Sequence, residues 1–203
     1  MKNVIFMTNI RDESKLDRSE PYKYSVKSWK YWCEKNNVEF FMLDQYIFDT
    51  NYMIPNWYKL YVFDLLDNND IDYNQIAIVD ADTIVHPDCP NFFEMTDNKF
   101  CAVHNDGSME NYSKHLFNGF TFPIWEYINS GFIILNKKHK KLYKDIINFY
   151  TENRESIVSV QKNFGVGTDQ PIINFFLQKE NVDLKILPYM YNMQDMHRKE
   201  ILT

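Results

Sequence analysis

The stretch "QIAIVDADTIVHPD" at positions 75–88 decides how the rest of the chain is read. Ile76, Ala77, Ile78 and Val79 form a continuous apolar run between polar residues, the pattern of a buried strand. Asp80 and Asp82 follow at its carboxyl end. If the extended geometry continues through them, both side chains leave on the same face, because strand side chains alternate with a period of two. Carboxylates held that close repel each other, and a divalent cation is the obvious candidate to offset the repulsion. The plainer alternative is a strand-end turn in which the aspartates accept backbone N–H groups.

Outward from this strand the chain alternates. "NVIFMT" (3–8) reads as a first strand and "PYKYSVKSWKYWCEKNN" (21–37) as a helix with Pro21 in its first turn. "VEFFML" (38–43) reads as a second strand, and "PNWYKLYVFDLLDNN" (55–69) as a helix with an apolar face. Beyond residue 88 come strands at 100–104 and 131–136, helices at 140–153 and 168–180, and a last short strand at 182–188. This order predicts an α/β fold with a mostly parallel sheet flanked by helices, in one domain over 1–203. Ligands of such sheets sit beyond the carboxyl ends of strands, where the polar residues of this chain also fall. Residues 105–128 read as a loop-rich excursion above that edge.

Composition narrows the class. A hydrophobic content of 45% and an aromatic content of 17% over 203 residues describe a folded domain with a sizeable core. The formal charge of −6 argues against nucleic acid as a partner; the one basic run, "NKKHKK" (136–141), reads as the solvated start of a helix. Cys33, Cys89 and Cys101 show neither CxxC nor metal-finger spacing, which predicts free thiols in a reducing compartment. The N-terminus reads as a strand and not as a signal peptide. No segment approaches the roughly 20 apolar residues of a membrane span. The expected setting is cytoplasmic.

Two metal-dependent chemistries compete for the aspartate pair. In one, both carboxylates bind Mg²⁺ or Mn²⁺, hard ions that share their shell with the diphosphate of a nucleotide. In the other, Asp80 is a phosphorylated nucleophile and Asp82 a general acid, as in haloacid-dehalogenase-like phosphatases. That reading needs the motif near the start of the chain and a later glycine–aspartate motif on another strand end. Here two strands and two helices precede Asp80, and the later "GVGTDQ" leads into a helix.

The remaining segments favour the first chemistry. "NWYKLYVFDLL … QIAIVDADTIVHPDCPNFFE" resembles the core of the GT-A glycosyltransferases, above all the glycogenin-like and bacterial galactosyltransferase-like family (glycosyltransferase family 8), with its W-x-K-L helix, D-x-D-T and short following helix. "YINSGFIILNK" (127–137), "GTDQPIINFFL" (167–177) and "LPYMYN" (187–192) are similar to that family's N-[AS]-G-x-x-x-[LI]-N strand, D-Q-x-x-x-N helix and L-P-x-x-Y-N segment. The segments run in the family's order over residues 3–192.

The resemblance implies a sugar transferred from a nucleotide-diphosphate sugar, most commonly a UDP-hexose, to a hydroxyl acceptor such as a glycan. It implies that Asp80 and Asp82, with Ala81 between them, hold Mn²⁺ or Mg²⁺, a Lewis acid for the departing diphosphate. It places Thr8 and Asn9 at the base, Lys59 on the sugar nucleotide, and Asn129, Ser130 and Gly131 against the donor sugar. A small residue followed by glycine also suits close backbone approach to a ligand. Asp169 and Gln170 are implied at the sugar ring and anomeric carbon, although Thr168 and Asp169 also suit an ordinary helix N-terminus. The family's third metal ligand is a histidine from H-x-x-G-x-x-K-P-W. This chain carries "NMQDMHRKEILT" instead, so His197 is the candidate with Asp195 as substitute, and Arg198 or Lys199 stand in for the diphosphate lysine.

Trp125, Tyr127 and the 105–124 loop are the candidate acceptor wall, or else core. The family implies retention of configuration; an inverting enzyme would need a carboxylate base, for which Asp169 or Asp106 are available. A non-catalytic nucleotide- or glycan-binding module of the same fold is the alternative of a different class. Sugar-nucleotide pyrophosphorylases need a glycine-rich loop after the first strand, and "MTNIRDESKLDR" has no glycine.

Overall fold

The computed structural model describes residues 1–10, 20–107, 109–165 and 168–194. Six strands form one sheet: β1 (Lys2–Thr8), β2 (Glu39–Leu43), β3 (Tyr73–Asp80), β4 (Phe100–His104), β5 (Ile128–Asn136) and β6 (Leu184–Leu187), in the order β2-β1-β3-β5-β4-β6. The helices are α1 (Tyr22–Asn36), α2 (Val62–Asn68), α3 (Glu110–His115), α4 (Lys140–Phe164) and α5 (Gln170–Lys179), with short 3₁₀ turns between them.

The α/β expectation holds, with the sheet mixed rather than uniformly parallel. β5 runs antiparallel to both β3 and β4, while the other pairs are parallel. Its amino end therefore lies at the edge where β1, β3 and β4 finish, which brings Asn129–Gly131 beside Asp80. Alternate residues of the strands face opposite layers. Ile5, Met7, Ala77 and Val79 meet Trp29 and Trp32 of α1. Val4, Phe6, Ile76 and Ile78 meet α2, α4 and α5. Burial on both faces explains the unbroken apolar runs of these strands.

Three local expectations are revised. The segment 55–69 is not one helix: Pro55–Tyr61 is 3₁₀ and only Val62–Asn68 is α-helical. Trp57, Tyr58, Lys59 and Leu60 are four consecutive buried residues, so the turn does not present one apolar stripe. α4 continues to Phe164 through a kink at Asn153 (φ −115, ψ 15), whose side-chain amide donates to the Phe149 carbonyl at 3.0 Å. Extended geometry also stops at Asp80. The Thr83 N–H and hydroxyl both donate to the Asp80 carbonyl, at 3.2 and 2.7 Å, and turn the chain before Asp82. The two aspartates thus reach the cleft from a strand end and a turn, not from one strand face.

Cys33, Cys89 and Cys101 are free. Among the described residues no helix is long and apolar enough to cross a membrane.

Candidate active site

A cleft of about 650 Å³ opens over the carboxyl ends of β1 and β3. Thr8, Asn9, Lys59, Asp80, Ala81 and Asp82 all line it. Pairing explains the convergence: parallel β1 and β3 set Thr8 opposite Asp80, so two positions distant in sequence become neighbours. The Thr8 hydroxyl is buried there with no hydrogen-bond partner among the described residues. A buried unpaired hydroxyl is costly unless a ligand or water completes it.

Lys59 carries the electrostatics. Its side chain is 7% exposed, and its ammonium lies 2.8 Å from Asp80 Oδ1 and 3.2 Å from Asp169 Oδ2, while donating to the Ser130 carbonyl at 3.1 Å. The Asp169 contact is an ion pair without hydrogen-bond alignment, which leaves Oδ2 as a buried acceptor lacking an aligned donor. Asp169 Oδ1 accepts from the Thr168 hydroxyl at 2.8 Å. Burial alone would push the Lys59 ammonium down, but the Asp169 and Asp80 carboxylates outweigh it and the net shift is upward. Asp80 is held above its ordinary value, chiefly by burial of the strand end, with Lys59 offsetting part and the Asp169 and Asp82 carboxylates adding to the rise. One lysine shared by two carboxylates neutralises neither completely.

β5 supplies the floor beyond Asp80. A Cβ on Gly131 would lie 2.8 Å from Asp80 Oδ2 and 2.9 Å from Asn129 Oδ1, so glycine is what allows the carboxylate to pack onto the strand. Asn129 Oδ1 accepts from the Gly131 N–H at 2.7 Å and the Asn192 amide at 2.9 Å. Gln170 holds this strand from α5: its Oε1 accepts the Ser130 N–H at 2.9 Å. One turn on, the Asn174 amide pairs with both the N–H and the carbonyl of Ile128, at 2.8 and 2.9 Å.

These contacts revise individual roles. Gln170 Oε1 is engaged by the Ser130 N–H, which ties α5 to β5. Tyr127 is 3% exposed and belongs to the core, its ring meeting Phe122 at 6.2 Å. Trp125, by contrast, is 68% exposed. Asp106 lies beside His104 Nε2 at 3.4 Å, at the end of β4. Lys59 is no solvated helix charge. Asp195, His197, Arg198 and Lys199 lie outside the described residues, and Gly167 with them.

As a metal set, Asp80 and Asp82 offer hard carboxylate oxygens at the cleft. The Asp80 side chain is 42% exposed although one oxygen is engaged by Lys59, and Asp82 is exposed. Two such ligands fit Mg²⁺ or Mn²⁺ when phosphate and water complete the shell. Among the described residues no group of three or more His, Cys, Asp or Glu is arranged to hold a metal ion.

The sequence reading missed the facing wall. Tyr22, Tyr46, Thr50, Ile54, Pro55 and Asn56 also line the cleft. Most lie in "DQYIFDTNYMIPN" (44–56), immediately after β2, and the rule that ligands sit past strand ends would have pointed there. Asn174 stood inside the D-Q-x-x-x-N pattern, yet its grip on β5 is visible only in three dimensions.

Comparison with solved structures supplies the fold's context. The chain superposes on "a glycosyltransferase involved in the glycosylation of the major capsid of PBCV-1" with a TM-score of 0.54 at 12% identity, covering 75% of this chain and 68% of that one. The likeness is one of fold: a mixed α/β sheet flanked by helices. No protein-family model matches the chain, and no curated protein matches it in sequence. Within this fold the cleft lies at the strand ends that open α/β sheets use for ligands.

Proposed function

We propose that this protein is a metal-dependent glycosyltransferase of the glycogenin-like kind, which moves a sugar from a nucleotide-diphosphate sugar, a UDP-hexose, to a hydroxyl of a glycan acceptor. One observation carries the reading: Thr8, Asn9, Lys59, Asp80, Ala81 and Asp82, singled out for the donor from the sequence, line a single cleft at the carboxyl ends of β1 and β3.

In this reading Thr8 and Asn9 receive the base, and the unpaired Thr8 hydroxyl gains its missing partner there. Asp80 and Asp82 hold Mn²⁺ or Mg²⁺, which when bound neutralises charge on the leaving diphosphate. Lys59 keeps Asp80 and Asp169 at fixed separation and adds a preorganised positive charge in a water-poor site. Asp169 Oδ2, lacking an aligned donor, accepts a hydroxyl of the donor sugar. Gln170 acts at one remove, fixing Ser130 and hence the carbonyl that Lys59 bonds. The bond from the anomeric carbon to the diphosphate oxygen breaks with its electron pair on the diphosphate. The acceptor oxygen forms the new bond with retention, and its proton passes to the leaving group.

Titration calorimetry of UDP and GDP with and without Mn²⁺, repeated on Asp82→Ala, tests the donor site. We expect micromolar UDP binding that requires the metal and weakens at least tenfold in the variant. Binding indifferent to both metal and Asp82 would return the two aspartates to a strand-end turn.

A further inference from the structure

The wall formed by residues 44–56 has little structure of its own. Asp49–Tyr52 and Ile54 are not buried; Met53, 1% exposed, and the partly buried Ile47 and Phe48 are its apolar anchors. Internally it is closed by a turn in which the Tyr52 and Met53 N–H groups donate to the Asp49 carbonyl at 2.9 and 3.0 Å, and at its base the Tyr58 phenol donates to the Phe48 carbonyl at 3.0 Å. Two carbonyls at its tip are taken by α4. There the Tyr150 hydroxyl donates to the Tyr52 carbonyl at 3.1 Å, and Arg154 Nε donates to the same oxygen at 2.6 Å. Arg154 Nη2 donates to the Asn51 carbonyl, and the guanidinium lies 5.4 Å from the centre of the Tyr52 ring. The kink at Asn153 falls one residue before this arginine.

We infer that Arg154 is a positioning residue for the cleft: it clamps the tip of the 44–56 wall from behind and thereby sets the affinity for the nucleotide. The affinity half rests on the nucleotide-donor reading above. Arg154 does not line the cleft; Tyr46, Thr50, Ile54 and Asn56 do, and Arg154 acts through them. Ile47, Phe48 and Met53 anchor the segment to the core, but the exposed tip over 49–52 retains backbone freedom, and ordering it on ligand binding opposes affinity. A planar fork engaging two successive carbonyls, with the Tyr52 ring beside it, removes that freedom in advance. Lysine has one donor head and no plane, so it cannot reproduce the clamp.

The test uses the full chain and three variants: Arg154→Met, which keeps the apolar stem, Arg154→Lys, and Lys144→Ala as a control on the solvent side of α4. Amide hydrogen exchange and UDP titration with Mn²⁺ are measured on each. In Arg154→Met we expect exchange over 49–54 to quicken at least tenfold while β1 and β3 keep the wild-type rate, and the UDP Kd to rise about tenfold. Arg154→Lys falls between, and Lys144→Ala matches wild type. Unchanged exchange over 49–54, an unchanged Kd, or faster exchange throughout the sheet would each overturn the proposal, the last by making Arg154 a general stability residue. If the unaltered protein binds no UDP, the donor reading fails and the affinity half fails with it; the exchange data still decide whether Arg154 holds the wall.

Discussion

At the amino end of β5, Asn129, Ser130 and Gly131 lie against Asp80, Lys59 and Gln170. At its carboxyl end, Asn136 meets Lys138, His139 and Asn98. Both ends are rich in buried polar groups and both terminate a strand. At the carboxyl end, Asn136 Oδ1 accepts the Lys138 N–H at 3.1 Å, its amide donates to the Asn98 carbonyl at 2.9 Å, and its own N–H donates to His139 Nδ1 at 3.1 Å. This is a reciprocal capping box, closed and free of carboxylates, with the Lys138 ammonium on the same Asn98 carbonyl at 3.2 Å. The amino end instead holds one cation between two carboxylates and leaves an oxygen of Asp169 without an aligned donor. Full satisfaction marks the structural end, and a deficit of donors marks the end a ligand completes.

Breaking the charged end should have the largest effect. Lys59→Met leaves Asp80 and Asp169 without their shared cation, and removing one partner of a buried pair costs about 3–5 kcal/mol. Urea unfolding at neutral pH checks this. Adding Asp169→Asn should recover part of the loss, and no recovery would mean that the carboxylate was never the source of the penalty.

The capped end should respond to acid instead. Burial, reinforced by the Lys138 ammonium, lowers His139 from 6.5 to about 4. The folded-state value lies below the unfolded one, so this stabilisation is complete above pH 6.5 and is lost as the pH falls through about 4. The full contribution is on the order of 3 kcal/mol. Unfolding free energies between pH 7 and pH 4 should decline in wild type and decline less in His139→Gln; parallel curves would exclude His139 as the titrating group.

The smallest change sharpens the comparison within the amino end. Gly131→Ala puts a Cβ 2.8 Å from an Asp80 oxygen that Lys59 keeps from moving freely. Overpacking of this kind costs about 1–3 kcal/mol. In a Lys59→Met background, where Asp80 is free to swing away, the same substitution should cost less; an equal cost in both backgrounds would show that the two residues are not coupled through Asp80.

Much of this architecture was legible in the chain. The order of strands and helices followed from apolar runs and period, because those patterns report burial directly. The reversal of β5 did not, since an apolar run reads the same in either direction. Asp80 and Asp82 were legible as a pair at a strand end; that Thr83 ends the strand by taking the Asp80 carbonyl was not. Lys59 was placed in the site by resemblance, yet it sits in a 3₁₀ turn and not an α-helix, because four consecutive residues, 57–60, are buried and carry no amphipathic signal. Gln170 was read as a catalytic group from the resemblance; that its carboxamide oxygen also takes the Ser130 N–H was not legible, because the contact crosses 40 residues.

By itself, then, the sequence determined the elements, their covered faces and the residues at the strand ends, since each follows from local pattern and from the apolar character of a few consecutive residues. Only the tertiary structure decided which of those residues meet. It set Thr8 opposite Asp80, put Lys59 between two aspartates nearly ninety positions apart, and brought Arg154 behind a wall a hundred residues upstream. Charge neutralisation and hydrogen-bond completion act over a few ångströms in space, and no periodicity along a chain records which distant partner will supply them.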